Sequence, residues 1–386
     1  MSLWFTAGAT APQLSALWNL DAAAAAGLTT AVQLGFVAGT AAAALLNLAD
    51  IIPARRYMTV SAMLAALANA SLLVVPGYHS ALVARTLTGF FLAGVYPPAM
   101  KMAATWFRSG RGVAIGTIVG ALTVGKALPY LASALPGIDW RFVVSSASLG
   151  ALVAALLIAV GYRDGPFAFP QRPFSLRLVG TVLRDRPTRL AIGGYLGHMW
   201  ELYACWSLVA VFFFDFFAAR GATDAGAAAR AGVVAFCVIA AGGVGSVLAG
   251  KWADRLGRER ITIWSMAVSG ACALVIGWLT FLPAWMLVSL ALIWGFAVVA
   301  DSAQFSALVT EVSPSHAVGT ALTLQTSMGF LLTAFSIWLA VEVSGGLGWG
   351  PAFSMLAVGP VLGILAMRAL KRSRLSSPPS PDPSLG

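Results

Sequence analysis

Long apolar runs follow one another along almost the whole chain. A bilayer core takes about 20 residues of α-helix, and lipid offers irregular backbone no hydrogen-bond partner, so runs of that length must be helices. Eleven such runs cover approximately residues 27–48, 57–76, 80–100, 112–135, 140–161, 189–216, 228–250, 260–282, 284–306, 317–341 and 351–370. The sequence therefore predicts an all-α integral membrane protein.

The composition and the first residues complete this prediction. Hydrophobic residues make up 59% of the chain and charged residues 10%, whereas soluble proteins carry about a quarter charged residues. Residues 1–18 form a fragment that contains Pro12, is short for a span and lacks the cationic flank of a signal peptide. Either it is a short or interfacial entry segment, or translation starts upstream and the first of twelve helices is N-terminally truncated; we favour the second interpretation.

The distribution of basic residues predicts how the chain crosses the membrane. The net charge of +10 could suggest nucleic acid, but the cations stand in short clusters between apolar runs, so no nucleic-acid partner is expected. All but five of the 24 Lys and Arg residues fall at connections on one side, and the exceptions are Arg85, Lys126, Arg141, Arg220 and Arg230. This asymmetry places both termini in the cytoplasm, with a bacterial inner membrane as the expected location.

The chain is predicted to divide into two halves. Residues 162–188 form the longest polar connection and are interpreted as a cytoplasmic linker between an N-terminal bundle at 1–161 and a C-terminal bundle at 189–370. Residues 371–386 are Ser/Pro-rich and are expected to form a disordered tail. Corresponding loops of the two halves are weakly similar at offsets of 204 to 209 residues, beginning with Asp50 and Asp254, as expected of a transporter built from repeats.

The hairpin after the eighth helix contains a specific motif. It fits the pattern G-x-x-x-D-R-x-G-R through Gly250, Asp254, Arg255, Gly257, Arg258 and Arg260. The corresponding first-half hairpin is degenerate and keeps Asp50, Arg55 and Arg56; the fourth helix has Arg85 and Gly89, and DWRF precedes the sixth.

These motifs resemble those of the major facilitator superfamily over the whole chain apart from its start and tail. The resemblance implies a twelve-helix fold of two pseudo-symmetric six-helix bundles, alternating access to a small-molecule substrate, no cofactor and a monomer in membrane lipid. It also implies that Asp50, Arg55 and the second-half motif brace a cytoplasmic gate. The alternative is a topology signal with a tight turn. We expect Asp50 and Asp254 to affect transport rate more than substrate choice.

Ionisable side chains within the membrane are costly and are usually functional. Arg85 in the fourth helix and Lys126 in the fifth are the cations. The seventh and tenth helices add candidates for substrate binding or proton coupling, namely His198, Glu201, Asp301 and Gln304. For each, a structural ion pair is the alternative, and Lys126 and Glu201 are the strongest candidates.

Aromatic residues and glycines surround these candidates. The seventh helix carries Tyr195 and Trp200 near its middle, where they are interpreted as pocket residues; packing or interfacial anchoring is the alternative. The glycines of the fifth helix, including Gly116 and Gly120, would let a ligand approach the backbone.

Together these residues favour a proton-coupled importer of a small anion. The fifth helix lacks the Gly-Pro pattern of the superfamily's antiporters, which disfavours drug/proton antiport. As a whole the chain looks more like the cyanate and nitrate/nitrite permease branch, although the glycine-asparagine signature of nitrate porters is missing. A drug or metabolite exporter working as a proton antiporter is the runner-up, and a non-transporting sensor is a distant third. No nucleotide loop, metal cluster or nucleophile constellation occurs in the sequence, so neither an enzyme nor a metal site is expected.

Overall fold

The computed structural model describes residues 1–107, 111–135, 137–167 and 174–376, apart from the side chains at 49, 50, 104, 111, 112, 375 and 376. Twelve main helical segments, α1 to α12, run through these residues, with shorter helices such as Leu48–Ile51 and Val179–Arg184 between them. The first, α1, consists of Ser2–Phe5, Thr6–Ala9 and Ala11–Trp18. The others are α2 Ala22–Leu45, α3 Ala54–Ala70, α4 Tyr78–Leu92 with Tyr96–Ala104, α5 Arg111–Ser133, α6 Trp140–Gly161, α7 Arg186–Ala218, α8 Asp224–Leu256, α9 Arg258–Ile276, α10 Ala284–Ala300 with Ser302–Val312, α11 Val318–Leu347 and α12 Trp349–Ser354 with Val358–Ser376. Each of the eleven predicted runs coincides with one of α2 to α12. The described residues contain no strand, and the all-α prediction is confirmed.

Within the described residues, nine segments are long and apolar enough to cross a membrane, namely α2 and α5 to α12. The remaining three are short or interrupted. In α4 the helix is broken between Leu92 and Tyr96, and α1 is three short pieces in succession. The break in α10 falls at Asp301, one of the predicted site residues.

Aspartates fix several helix starts. Asp21 accepts a hydrogen bond from the backbone N–H of Ala24 at the start of α2, at 2.7 Å, and Asp185 accepts one from Thr188 in α7, at 3.0 Å. In the DWRF motif, Asp139 precedes α6 and accepts the backbone N–H of Arg141 at 3.1 Å. That bond, together with the Arg141 guanidinium, lowers the pKa of Asp139. The motif is thus a helix cap.

The two halves meet along α5 and α8, and α2 packs against α11. The α5–α8 contact is close because small residues face each other: the Ser246 hydroxyl donates to the Gly116 carbonyl at 2.7 Å. A Cβ added to Gly120 would stand 2.8 Å from the Gly243 carbonyl, so a larger residue requires the helices to separate. These glycines bring two helices together, and this packing role differs from the ligand approach that the sequence predicts for them.

The end of α6 at Gly161 and the start of α7 at Arg186 define one side of the bundle, called here the linker face, and the end of α12 reaches the same side through the contact of Arg374 with Glu259. Helix α12 extends to Ser376, six residues past the predicted end at residue 370. Arg374 accounts for part of this extension, because it pairs with Glu259 at 2.6 Å and with Glu311 at 3.5 Å. Residues 377–386, most of the predicted tail, lie outside the described part.

Candidate functional site

A cavity of about 80 Å³ lies between the two halves. Lys126 and Trp4 line it from the first half; Tyr195, His198 and Trp206 line it from the second. A site at the interface of two bundles is where a solute can be exposed to either side as the bundles rock. Three predicted site residues, Lys126, Tyr195 and His198, are therefore brought together.

Lys126 is 3% exposed, and its ammonium lies among aromatic rings. The nitrogen is 4.5 Å from the ring centroid of Trp4, 4.5 Å from that of Tyr203 and 5.0 Å from that of Trp206, and it donates a hydrogen bond to the Tyr203 hydroxyl. Cation–π contacts of this kind stabilise a desolvated ammonium. None of the carboxylates in the described residues forms an ion pair with this ammonium, so no described residue neutralises its charge.

His198, which lines the cavity, forms a buried pair with Asp301. The Nδ1 atom of His198 lies 2.8 Å from an Asp301 carboxylate oxygen, and each side chain is 2% exposed. The Nε2 atom lies 3.0 Å from the Ser302 hydroxyl. Since Asp301 stands at the break of α10, the pair joins α7 to the point where α10 is interrupted.

Glu201 lies deeper in the second half and does not line the cavity. Its two carboxylate oxygens accept hydrogen bonds from the Ser269 hydroxyl at 2.8 Å and from the Trp294 indole at 2.6 Å. No cation among the described residues pairs with it. A buried carboxylate held only by neutral donors is costly in its charged form, so this group is suited to carrying a proton.

Arg85 is fully buried and bound entirely by neutral acceptors. Its guanidinium donates to the carbonyl oxygens of Leu3 at 2.9 Å and Trp4 at 2.5 Å, and to Asn69 Oδ1 at 2.7 Å. It also donates to Thr6 Oγ1 at 3.0 Å and, over a longer distance of 3.4 Å, to the Leu28 carbonyl. Arg85 thus joins α4 to α1, α2 and α3, and it does not line the cavity.

The hairpin between α8 and α9 is tied to α10. Arg258 donates to Glu311 Oε1 at 2.7 Å and to Gln304 Oε1 at 2.7 Å, whereas its distance to Asp254 is 3.9 Å. Gln304, predicted to belong to the substrate site, therefore lies in the charged network of the linker face. Gly257 separates the two helices with a φ of +90°, a backbone conformation that favours glycine.

The sequence and the fold both match known transporters. The model of the Major Facilitator Superfamily matches residues 1–337. The chain belongs to this superfamily. Among solved structures, the human organic anion transporter MFSD10 (TETRAN) has a similar fold, with a TM-score of 0.63 and 15% sequence identity, over 94% of this chain and 89% of that chain. No curated protein matches the sequence.

Membership of the superfamily confirms the predicted fold and the transporter class, and superfamily members are not enzymes. For the gate, Gly250 is buried, Arg55 and Arg255 are exposed, and the side chain of Asp50 lies outside the described residues. The polar contacts that Arg258 of this motif makes, with Asp254, Gln304 and Glu311, all lie within the second half.

Some residues around the cavity were not predicted. Trp200 was expected in a pocket but lies outside this cavity, where its indole donates to the Met355 carbonyl at 3.2 Å. Trp4 is in the cavity instead, and Ser269 and Trp294 hold Glu201. Trp4 gave no signal in the sequence because it stands in the fragment that precedes the long apolar runs, and contacts between α7 and α9 or α10 cannot be deduced from spacing along one helix.

Proposed function

We propose that this superfamily transporter moves a small anion across a bacterial inner membrane by alternating access, and that this transport is coupled to protons. In this proposal both termini lie in the cytoplasm, and the bundles at 1–161 and 189–370 are the halves that move. The observation that carries the proposal is Lys126. It lies in the cavity between the halves with an ammonium that no described carboxylate neutralises. An anion would supply the missing charge.

The division of charge between the halves supports this assignment. In the membrane interior, the described part of the first half contributes the cations Arg85 and Lys126, and that of the second half contributes Glu201, Asp301 and His198. A cationic wall suits an anion, and a separate set of titratable groups suits a proton. We place substrate binding at Lys126 and proton handling at Glu201 and the His198–Asp301 pair.

The runner-up is an exporter of apolar drugs or metabolites. The aromatic walls favour it, since Trp4, Phe36 and Phe330 form a continuous cluster with centroids 4.5 to 5.4 Å apart. A lysine at the centre disfavours lipophilic cations. The absence of the antiporter pattern from α5 also supports the anion permease, and within the superfamily we place the chain near the cyanate and nitrate/nitrite permease branch.

Uptake into proteoliposomes tests the proposal. Purified protein is reconstituted, and uptake of labelled formate, acetate, nitrate and cyanate is measured with and without an inward proton gradient. We expect at least one anion to accumulate only when the gradient is imposed. Efflux of an apolar drug without uptake of any of these anions would support the exporter and contradict the proposal.

Replacement of Glu201 by Gln tests the coupling. The substitution keeps the shape of the side chain and an oxygen for the Trp294 indole, but it removes the titratable group. We expect binding of the anion to persist while accumulation driven by the proton gradient is lost. Gradient-driven accumulation at the rate of the original protein would remove Glu201 from the coupling role. The exposed residue Glu342 on α11 offers a matched control, because Glu342→Gln should leave accumulation unchanged.

A further inference from the structure

Glu201 connects three helices of the second half through two different hydrogen-bond donors. The carboxylate belongs to α7, and Ser269 of α9 donates to its Oε2 atom at 2.8 Å. Trp294 of α10 donates to its Oε1 atom at 2.6 Å. All three side chains are at most 1% exposed, so bulk water does not reach the carboxylate in this conformation. Ser269 and Trp294 therefore determine how the carboxyl group is held, whether it is charged or protonated.

The two donors differ in what they can do when the carboxyl group takes up a proton. An indole N–H donates a hydrogen bond and accepts none, so the oxygen that faces Trp294 must remain an acceptor. A serine hydroxyl can donate or accept, so a proton on the oxygen that faces Ser269 finds an acceptor. The chemistry of the two partners therefore favours Oε2 for the proton and Oε1 for the carbonyl oxygen.

The Ser269 hydroxyl has a second acceptor for its own proton. The Met266 carbonyl, one turn earlier on α9, lies 3.4 Å from the hydroxyl oxygen, and serine in a helix can donate to such a carbonyl. When Oε2 is charged, the hydroxyl donates to it. When Oε2 carries a proton, the hydroxyl accepts that proton's hydrogen bond and turns its own proton toward Met266. Every donor keeps an acceptor in both forms, and only the proton on Glu201 is gained or lost.

Trp294 supplies the part of this arrangement that does not change. Its ring packs against Phe353 of α12 with centroids 5.2 Å apart and planes at 77°, an edge-to-face contact that fixes the ring. The carboxyl group cannot turn a protonated oxygen toward the indole without leaving a buried donor unpaired, which is costly. The indole thus keeps the carboxyl group in one orientation.

We propose that Ser269 and Trp294 are positioning residues for proton coupling: Trp294 fixes the carboxyl group of Glu201 through Oε1, and Ser269 reverses its hydroxyl to hold the proton on Oε2. This inference rests on the coupling role proposed for Glu201 and adds the atom that carries the proton. A side chain that only joined three helices could be a neutral amide, whereas a reversible hydroxyl is needed where a proton comes and goes.

Other titratable groups near Glu201 do not take the place of Ser269. Asp301 of α10 is the nearby carboxylate, but it is paired with His198 at 2.8 Å. The thiols of Cys205 and Cys272 also lie near the carboxylate, yet a thiol is a weak hydrogen-bonding group. Substitution of Ser269 or Trp294 leaves these groups in place, so differences between variants report on the two donors.

The test separates proton coupling from movement of the anion. Ser269→Ala removes the hydroxyl, Ser269→Thr keeps one, and Trp294→Phe removes the indole donor. Ser336→Ala on α11 is the matched control, because this buried hydroxyl donates to the Thr333 carbonyl one turn earlier, at 3.2 Å, and not to a carboxylate. Folding is checked by size-exclusion chromatography and thermal unfolding.

Two rates are measured in proteoliposomes with the best-transported anion among formate, acetate, nitrate and cyanate. One is accumulation driven by an inward proton gradient, and the other is exchange of labelled for unlabelled anion at equal pH on both sides. Exchange needs no net release of a proton, because the loaded carrier can return with its proton bound. A defect confined to coupling therefore lowers accumulation and spares exchange.

We expect accumulation to fall about tenfold in Ser269→Ala and in Trp294→Phe, because the charged form of Glu201 loses one of its two donors. Exchange should stay within about twofold, Ser269→Thr should retain most of the accumulation, and Ser336→Ala should change neither rate. Equal loss of accumulation and exchange in Ser269→Ala, or accumulation at the original rate, would contradict the inference. If Ser269→Ala does not fold, Ser269→Cys takes its place, since a thiol is similar in size and bonds weakly.

Infrared difference spectroscopy between acid and alkaline pH gives a second readout. The carboxylic-acid C=O band of Glu201 is identified as the band that Glu201→Gln abolishes. Loss of a hydrogen bond moves such a band to higher wavenumber, so it should move in Ser269→Ala and in Trp294→Phe and stay in place in Ser336→Ala. A band that Ser269→Ala leaves unmoved would contradict a proton held by Ser269.

The failures of the two proposals are distinguishable. If no anion accumulates in response to the gradient, or if Glu201→Gln keeps the accumulation, the proposed coupling fails and this inference fails with it. If Glu201→Gln abolishes accumulation while Ser269→Ala and Trp294→Phe keep it, only this inference fails.

Discussion

Replacement of Arg85 tests whether a buried membrane arginine acts through structure. In Arg85→Ala, the carbonyl oxygens of Leu3 and Trp4 and the amide oxygen of Asn69 lose their guanidinium donor. An acceptor left unsatisfied in a buried site costs about 1–3 kcal/mol, and relief from burying a charge offsets part of that loss. We expect the free energy of unfolding to fall by about 3 kcal/mol.

The assay is thermal unfolding of the purified protein in detergent at a fixed heating rate. At roughly 2 °C per kcal/mol for a bundle of about this size, the apparent Tm should fall by about 6 °C. Arg141→Ala is the matched control, because Arg141 is 60% exposed and its ion pair among the described residues is with nearby Asp139. Exposed ion pairs contribute little to stability. An Arg85→Ala protein that unfolds within about 1 °C of the original would refute the structural role.

Two further predictions concern helix packing and the linker face. Gly120→Val should slow transport and lower the Tm, because the added atoms meet the Gly243 carbonyl of α8. Gly150→Val on α6 is the control, since its Cβ has open space and neither transport nor Tm should change. Equal effects of the two substitutions would contradict the close α5–α8 contact. Arg258→Ala should lower the transport rate severalfold at unchanged KM, because it frees α10 from the hairpin; a changed substrate preference with an unchanged rate would contradict a role at the linker face.

The sequence was sufficient for the helices and the family. The long apolar runs predicted α2 to α12 because the bilayer imposes length and backbone satisfaction on every span. The hairpin motif with Asp254 and Arg258 identified the superfamily. The apolar runs and the hairpin motif are each formed by residues close together in the chain, so they can be recognised in a single sequence.

The roles of individual charges were not predictable in the same way. Arg85 and Lys126 have the same signature in the sequence, a cation within an apolar run, yet one is surrounded by carbonyl oxygens and the other by aromatic rings. Trp200 and Trp206 lie on the same helix but on different faces, and only the packing of α7 decides which meets the cavity. Such distinctions depend on contacts between distant segments.

The most direct test of the central claim is uptake of the best monovalent anion into proteoliposomes containing Lys126→Ala, with Lys126→Arg for comparison. The account predicts that Lys126→Ala, folded and inserted as well as the original protein, loses uptake at least tenfold, because a cavity cation that no described carboxylate neutralises is gone, while Lys126→Arg retains part of the uptake. Uptake by Lys126→Ala at the original rate and KM would contradict the account.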